Sequence, residues 1–185
     1  MSTVEIACVE SPLGPLLLAA DDGALVALSF AESAAHVRGW IERHLGPRTF
    51  VATSNPAGAA RALDQYWAGQ LDALSLVPVK LRGTGFQVRV WETLRRIPSG
   101  ASWSYATLAR AVGAPTAVRA VGAANAQNPV AIIVPCHRVI GSDGALTGYG
   151  GGLPRKAWLL AHEGVLEPEL PLSPLDTDGV HPSPS

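Results

Sequence analysis

The sequence contains little cysteine and no long hydrophobic run. Among its 185 residues there are only two cysteines, Cys8 and Cys136, too few for a disulfide framework and without the CxxC spacing of a zinc knuckle. No apolar stretch approaches the roughly 18 to 20 residues of a membrane span. The first residues lack the basic and apolar regions of a secretory signal. We therefore expect no metal site, no membrane association and a cytoplasmic location.

Charged residues make up only 16% of the chain, and their distribution is uneven. Residues 1–79 carry four Lys/Arg and eight Asp/Glu, a net charge of −4, and residues 167–185 carry four acids and no base, also −4. Residues 80–166 carry ten Lys/Arg and three Asp/Glu, a net charge of +7. Such a basic segment favours an anionic partner such as nucleic acid. The alternative is that these arginines only solvate the surface.

The first half of the chain combines strand and helix patterns. Alternating or apolar runs separated by turn residues predict a small antiparallel meander in the first 30 residues. Helical spacing of apolar residues then predicts helices over residues 32–46 and 55–70.

The second half has mainly helical patterns. Further helices are predicted over residues 86–97, 105–113, 116–126 and 153–164. Thr116 is the expected N-cap of the helix over 116–126. The two short helices joined by Gly-Ala-Pro-Thr form a candidate helix-turn-helix. The run AIIVPC, residues 131–136, is predicted to be a buried strand or extended segment.

These patterns indicate an α/β protein with two domains and a tail. Residues 1–78 form a small N-terminal domain built on an antiparallel sheet, and residues 79–166 form a C-terminal helical domain with the helix-turn-helix. Residues 167–185 are rich in Pro, Ser and Asp and are predicted to be a disordered acidic tail.

Cys136 is the first candidate for chemistry, because His137 and Arg138 follow it directly. A buried free cysteine is commonly just a small hydrophobic residue. Nucleophilic use needs a thiolate, and a neighbouring base or cation can lower the thiol pKa from about 8.5 to about 3.5–7.5. Because consecutive side chains of an extended chain point apart, the pair would need a tight turn or a bridging water. Both interpretations stay open at this point.

Glu163 is a candidate for the third group that orients a catalytic imidazole. It is the polar residue in the otherwise apolar helix end WLLAHEG. The alternative is a solvated glutamate at a helix C-terminus.

The helix over 116–126 has one face of small residues and a single long cation. Arg119, Gly122, Ala123 and Ala126 share this face. A smooth face can approach a nucleic-acid groove closely, and its cation can reach between bases. Tight packing against another helix is the alternative, and Asn128 just beyond the helix is by default a capping or turn residue.

The glycine-rich stretch TGYGGG, residues 147–152, can approach a flat ligand closely with its backbone. It lacks the Lys-Ser/Thr ending of a phosphate-binding loop, so a nucleoside triphosphate is not indicated. A flexible loop is the alternative.

Three segments closely resemble those of one family, the O6-alkylguanine-DNA alkyltransferases, also called methylated-DNA–protein-cysteine methyltransferases. They are NPVAIIVPCHRVIG, RAVGAAN and LTGYGGGLPRKAWLLAHEG. The clear match runs from about Arg82 to Gly164, and SPLGPLLLA near the start is similar to the family's N-terminal domain. The resemblance implies an RNase H-like N-terminal domain and a winged-helix-like C-terminal domain.

The resemblance also implies an activity: direct repair of double-stranded DNA. An alkylated guanine is flipped out of the duplex, and its alkyl group moves irreversibly to the protein's own cysteine. O4-alkylthymine is implied as a further substrate. One turnover ends the reaction because the thioether has no easy leaving group, and no cofactor is needed. We expect a monomer in solution, with cooperative binding on DNA left open.

Catalytic roles follow from the same resemblance. Cys136 is the alkyl acceptor, His137 is the base that acts through a water, and Glu163 polarises His137. Asn128 braces the active-site turn, and Tyr105 donates a proton toward the guanine ring as it leaves.

Roles in DNA binding follow in the same way. Arg119 fills the gap left by the flipped base from the minor groove, on the face with Gly122, Ala123 and Ala126. The guanine pocket is lined by the Val139 carbonyl, Tyr149 and the Gly150 N–H. This chain has Gly148 and Gly150 where some members carry Asn and Ser, so its substrate range could differ.

Two other functions remain as alternatives. A non-catalytic lesion binder would resemble this family but replace the acceptor cysteine, which is present here as Cys136. A hydrolase with a Cys-His pair would turn over many small acyl substrates.

Overall fold

The computed structural model describes residues 2–167 and arranges them as a four-stranded sheet with a helical unit packed against its edge. The predicted disordered tail therefore lies, apart from Glu167, outside the described residues.

The sheet begins with the predicted antiparallel meander, β1 (Thr3–Val9), β2 (Leu16–Asp21) and β3 (Ala24–Phe30). A fourth strand, β4 (Thr49–Ala52), pairs in parallel with β1, so the strand order is β3-β2-β1-β4. The sequence did not indicate β4, because its four residues are exposed or only partly buried and show no apolar alternation.

Two helices cover the two faces of this sheet. On one face, α1 (Ala34–Leu45) packs through Val37 and Ile41 against the strand residue Val26. On the other, α2 (Ala59–Trp67) buries Leu63 and Tyr66 in the main core. The predicted helix over 55–70 is shorter because a 3₁₀ turn at 56–58 precedes it, with Ala57 in the left-handed region at φ 52°.

The C-terminal domain has the predicted helices α3 (Gly85–Leu94), α4 (Tyr105–Val112), α5 (Val118–Ala126) and α6 (Leu153–His162). Two short strands, β5 (Trp103–Ser104) and β6 (Val139–Ile140), pair in parallel. Ser104 caps α4 by accepting the Thr107 N–H at 3.0 Å. The prediction of Thr116 as the N-cap of α5 is wrong, because the preceding turn, closed by the Ala117 N–H on the Ala114 carbonyl, places Ala117 at that position.

The segment 131–136 is buried, as expected, but it forms a turn rather than a strand. The Val134 N–H donates to the Val130 carbonyl at 3.0 Å, and Ile132 has a φ of 69°. Pro135 has no N–H for a sheet ladder. The chain therefore reverses direction just before Cys136.

The edge strand β3 joins the two domains. The Leu28 N–H donates to the Pro129 carbonyl, and the Ala131 N–H donates to the Leu28 carbonyl, each at 3.0 Å. A similar pair of bonds links Leu25 to Pro78 and Lys80. The sheet thus holds the segment that leads into Cys136, and one main core runs through both domains. In the part of the chain described, no helix is long and apolar enough to cross a membrane.

Candidate active site

Cys136 begins a 3₁₀ turn that ends at Arg138, and its side chain is buried. Asn128 holds the turn before it at two points. Its Nδ2 donates to the Val134 carbonyl at 2.7 Å, and its Oδ1 accepts the Val130 N–H at 3.0 Å. Asn128 therefore contacts the turn that the resemblance expects it to brace.

The same turn directs His137 toward Glu163 at the end of α6. His137 is fully buried, and its Nε2 lies 2.9 Å from Glu163 Oε1. Its other ring nitrogen, Nδ1, is buried and has no hydrogen-bond partner among residues 2–167. The structure thus brings together three of the predicted site residues, Cys136, His137 and Glu163.

Glu163 is buried, which excludes the alternative of a solvated glutamate at a helix end. Tyr66 donates its hydroxyl to Oε1 at 2.7 Å, while Arg138 donates from Nε to Oε2 and from Nη2 to Oε1, both at 2.8 Å. Burial raises the pKa of this carboxyl, but the hydrogen bonds from Arg138 and His137 outweigh it, so the pKa lies below its usual range. Glu163 is therefore a carboxylate at neutral pH.

The carboxylate determines the tautomer of His137. Because a carboxylate only accepts hydrogen bonds, the proton of the neutral ring lies on Nε2, and Nδ1 carries a free lone pair. Burial lowers the pKa of His137 further than the hydrogen bond from Glu163 raises it. The imidazole is thus uncharged and available as a base.

The thiol of Cys136 is protonated in the resting protein. Burial raises its pKa, and the opposing effects of the Asn128 side chain and the Lys156 charge are smaller. In the free protein the neighbours therefore do not lower this pKa below its ordinary value, because desolvation of the sulfur is the larger effect. A thiolate has to be generated by proton transfer to a base.

The small-residue face of α5 is open to solvent. Arg119, Ala123 and Ala126 are exposed, and Gly122 faces the Tyr105 ring, which a Cβ on the glycine would meet at 3.8 Å. Tight packing of this whole face against another helix is therefore excluded within the described part of the chain. The Tyr105 hydroxyl donates to the Thr147 carbonyl at 3.1 Å, at the start of the glycine-rich loop.

The glycine-rich loop lies beside the thiol. A cavity of about 260 Å³ is lined by the predicted site residues Cys136, Asn128, Ala126, Tyr149 and Gly150, together with Phe30 and Trp40 from the N-terminal domain. Tyr105 and Val139 adjoin this region without lining the cavity.

A buried lysine links Val139 to the start of the glycine-rich loop. Lys156 Nζ donates to the carbonyls of Val139 at 2.5 Å and Thr147 at 2.9 Å. Burial lowers the pKa of Lys156, while the Coulomb effect of Cys136 acts in the opposite direction. The Val139 carbonyl, expected to face the guanine, thus already accepts a hydrogen bond from this ammonium group.

A second contact fixes the loop to the N-terminal domain. Arg155 stacks its guanidinium over the Phe30 ring, 3.9 Å from the ring centre, and also bonds to Glu32 and to the Leu13 and Gly151 carbonyls. The loop is therefore attached to the sheet and is not free of contacts.

Sequence reasoning missed three residues of this site: Tyr66, Arg138 and Lys156. Arg138 was noticed only as a neighbour of Cys136, whereas it is buried and pairs with Glu163. Its position directly after Pro-Cys-His was the one available signal. Tyr66 lies 97 residues before Glu163, so no local pattern connects them. Among residues 2–167, no group of three or more His, Cys, Asp or Glu side chains could hold a metal ion.

Two family models cover most of the chain. Residues 6–81 match the ribonuclease-like domain of 6-O-methylguanine DNA methyltransferase, and residues 85–165 match the DNA binding domain of the same family. These matches agree with the predicted fold class of an N-terminal RNase H-like domain followed by a helical DNA-binding domain.

Individual proteins give the same result. The chain is 44% identical over 161 residues to a methylated-DNA–protein-cysteine methyltransferase of Shigella flexneri, with 85% of this chain and 94% of that protein covered. It is 48% identical over 162 residues to a protein of the same name from Mycolicibacterium paratuberculosis, with 86% and 92% covered. A crystal structure of Mycobacterium tuberculosis OGT in complex with DNA superimposes with a TM-score of 0.72 at 42% identity, covering 86% of this chain and 92% of that one.

Proposed function

Because this chain belongs to the 6-O-methylguanine DNA methyltransferase family, we propose that its Cys136 is the acceptor in a direct repair of DNA. The protein is a methylated-DNA–protein-cysteine methyltransferase: it binds DNA and moves the alkyl group of O6-alkylguanine to its own cysteine. The family resemblance predicted from the sequence is thus confirmed. The residue roles below are our proposal.

One observation carries the assignment of the acceptor: the buried chain of contacts from Glu163 through His137 toward Cys136. Glu163 Oε1 accepts the Nε2–H of His137, with the two heavy atoms 2.9 Å apart, which leaves Nδ1 as an unpaired base on the residue next to Cys136 in the sequence. Cys8, the other cysteine, is exposed on β1 and lies outside this network.

The first chemical step is proton transfer. Cys136 and His137 are consecutive, so the thiol proton passes to Nδ1 through one bridging water. The carboxylate of Glu163 stabilises the imidazolium that forms, since their charges are opposite and both groups are buried. This step supplies the thiolate that the resting protein lacks.

The second step is displacement at the alkyl carbon. An electron pair on Sγ of Cys136 forms the new S–C bond while the C–O6 bond breaks and its electron pair moves onto the guanine. Tyr105 donates a proton to the guanine ring, which makes it a better leaving group. The product is a thioether, so each molecule reacts once.

DNA docking uses the exposed face of α5. Its small residues Gly122, Ala123 and Ala126 allow close approach to the minor groove, and Arg119 occupies the gap left by the flipped base. The target carbon is inaccessible in a stacked pair, so the base enters the pocket beside Tyr149 and Gly150. The net charge of +7 over residues 80–166 supports this face as the DNA-binding side.

The scope of the reaction is also proposed. We expect O4-alkylthymine to be a further substrate, the protein to act as a monomer, and its location to be cytoplasmic. No step above requires a cofactor.

The test is the stoichiometry of transfer. Incubation with duplex DNA containing O6-methylguanine should add one methyl mass to each protein molecule, located on the peptide that contains Cys136. Cys8→Ser should retain the full mass shift, and Cys136→Ala should lose it while still binding DNA. Repeated turnover would instead indicate a hydrolase, and binding without any mass change would indicate a lesion binder. Either result would contradict the proposal.

A further inference from the structure

We propose that Tyr66, from the N-terminal domain, is a positioning residue for the alkyl transfer and acts through Glu163. Its hydroxyl holds the carboxylate in the orientation that His137 requires. This inference rests on the proposed roles of Cys136, His137 and Glu163.

The contact that carries it is short and buried. The Tyr66 hydroxyl donates to Glu163 Oε1 at 2.7 Å, and that same oxygen accepts from His137 Nε2 at 2.9 Å. Tyr66 is completely buried. The tyrosine therefore shares its acceptor atom with the imidazole and does not merely lie near the site.

Glu163 is held by groups from two domains. Arg138 binds both carboxylate oxygens and so fixes the plane of the carboxylate. Tyr66 adds a second hydrogen-bond donor, which comes from α2 in the N-terminal domain. Hydrogen bonds to a charged acceptor are worth roughly twice those between neutral groups, so the loss of the hydroxyl should change the geometry and the basicity of the carboxylate.

The Tyr66 ring is itself held in place. It meets the rings of Trp67 and His162 edge-on, each with a centroid distance of 4.9 Å. His162 Nε2 also lies 2.8 Å from the Tyr66 carbonyl, and His162 directly precedes Glu163. The hydroxyl thus has a defined position even when its partner is changed.

The experiment measures single-turnover methyl transfer by Tyr66→Phe, which keeps the ring and removes only the hydroxyl. We expect the rate to fall about tenfold, the loss typical of one hydrogen bond to a charged group. The matched control is Phe50→Leu, since Phe50 is also a partly buried ring of the N-terminal domain, packs against the separate core cluster beside α1 rather than near Glu163, and should keep the wild-type rate.

A double-variant cycle separates positioning from folding. In a Glu163→Gln background, adding Tyr66→Phe should change the rate by less than about twofold, because the carboxylate through which the hydroxyl acts is gone. If Glu163→Gln does not fold, a His137→Gln background serves the same purpose.

The pH profile gives an independent measurement. The charged or titratable groups around this contact are Glu163, His137, Arg138, His162 and, through their charges, Lys156 and Tyr149. Without the hydroxyl the carboxylate is more basic and stabilises the imidazolium more strongly, so the acid limb of the rate profile should move to higher pH. Phe50→Leu should leave that limb unchanged.

Two results would overturn the inference: a wild-type rate in Tyr66→Phe, or the same tenfold loss in both backgrounds. The failure of the proposed function is distinct, because it would appear as wild-type protein that gains no methyl mass on Cys136.

Discussion

The ring of Phe30 lies directly against the backbone of Gly151, so closely that a Cβ built on Gly151 would overlap the ring. Phe30 ends β3, and Gly151 belongs to the glycine-rich loop beside Cys136. A side chain at residue 151 would therefore separate the loop from the sheet.

Gly151→Ala should destabilise the protein by about 1–3 kcal/mol, the usual cost of overpacking a filled site. Gly150→Ala is the matched control, because a Cβ there meets no atom within 4 Å. Urea unfolding of both variants measures the difference. Equal unfolding free energies for the two variants would contradict the close packing of Phe30 on the loop.

Folding stability should fall as the pH drops below about 6.5, the ordinary pKa of histidine. The pKa of His137 is lowered in the folded protein, so the unfolded chain takes up a proton first and is favoured by acid. The pKa of Glu163 is also lowered, and its contribution, present above about pH 4.3, is lost as the pH falls further. Unfolding free energies measured from pH 7 to pH 4 test this. His137→Gln should flatten the part of the curve near pH 6, and an unchanged slope there would count against a buried neutral His137.

Cys136 should react slowly with iodoacetamide at pH 7, and its rate should rise only above about pH 8.5, the ordinary thiol pKa. Burial raises the pKa of this thiol and limits access to it, whereas Cys8 is exposed. Peptide mass spectrometry should therefore find Cys8 modified first. Rapid modification of Cys136 at neutral pH would show a resting thiolate and refute the protonated state.

Arg119→Ala should slow transfer from duplex DNA by an order of magnitude or more while leaving transfer from free O6-benzylguanine unchanged. Arg119 is exposed on α5, so its loss should affect only the extrusion of the base that we propose for it. Rates with the two substrates, measured side by side, test this. Arg61→Ala, an exposed arginine on α2 outside the basic segment, is the control and should leave both rates at the wild-type level.

Local patterns in the sequence predicted the meander and the helices α1 to α6 in their approximate positions, and the family resemblance predicted the Cys136–His137–Glu163 set. Each of these depends on neighbouring residues or on a motif that stays together in the chain. The sequence did not indicate the strand β4 or a role for Tyr66, because both depend on contacts with residues far away in the chain. In the sequence, Tyr66 is only one of the residues on the apolar face of α2. Its hydroxyl acquires a partner because the fold places Glu163, at the end of α6, next to it. The sequence also left the resting state of the thiol open, since desolvation depends on how completely the fold encloses the sulfur.

Lys156 has a consequence for the rate of docking. Its ammonium group connects β6 to the start of the glycine-rich loop in the free protein. The loop is thus preorganised, and little of its conformational entropy remains to be lost when a base enters. Under the proposed mechanism, encounters with DNA can then be short, because the recess proposed to receive the nucleobase exists before the duplex arrives.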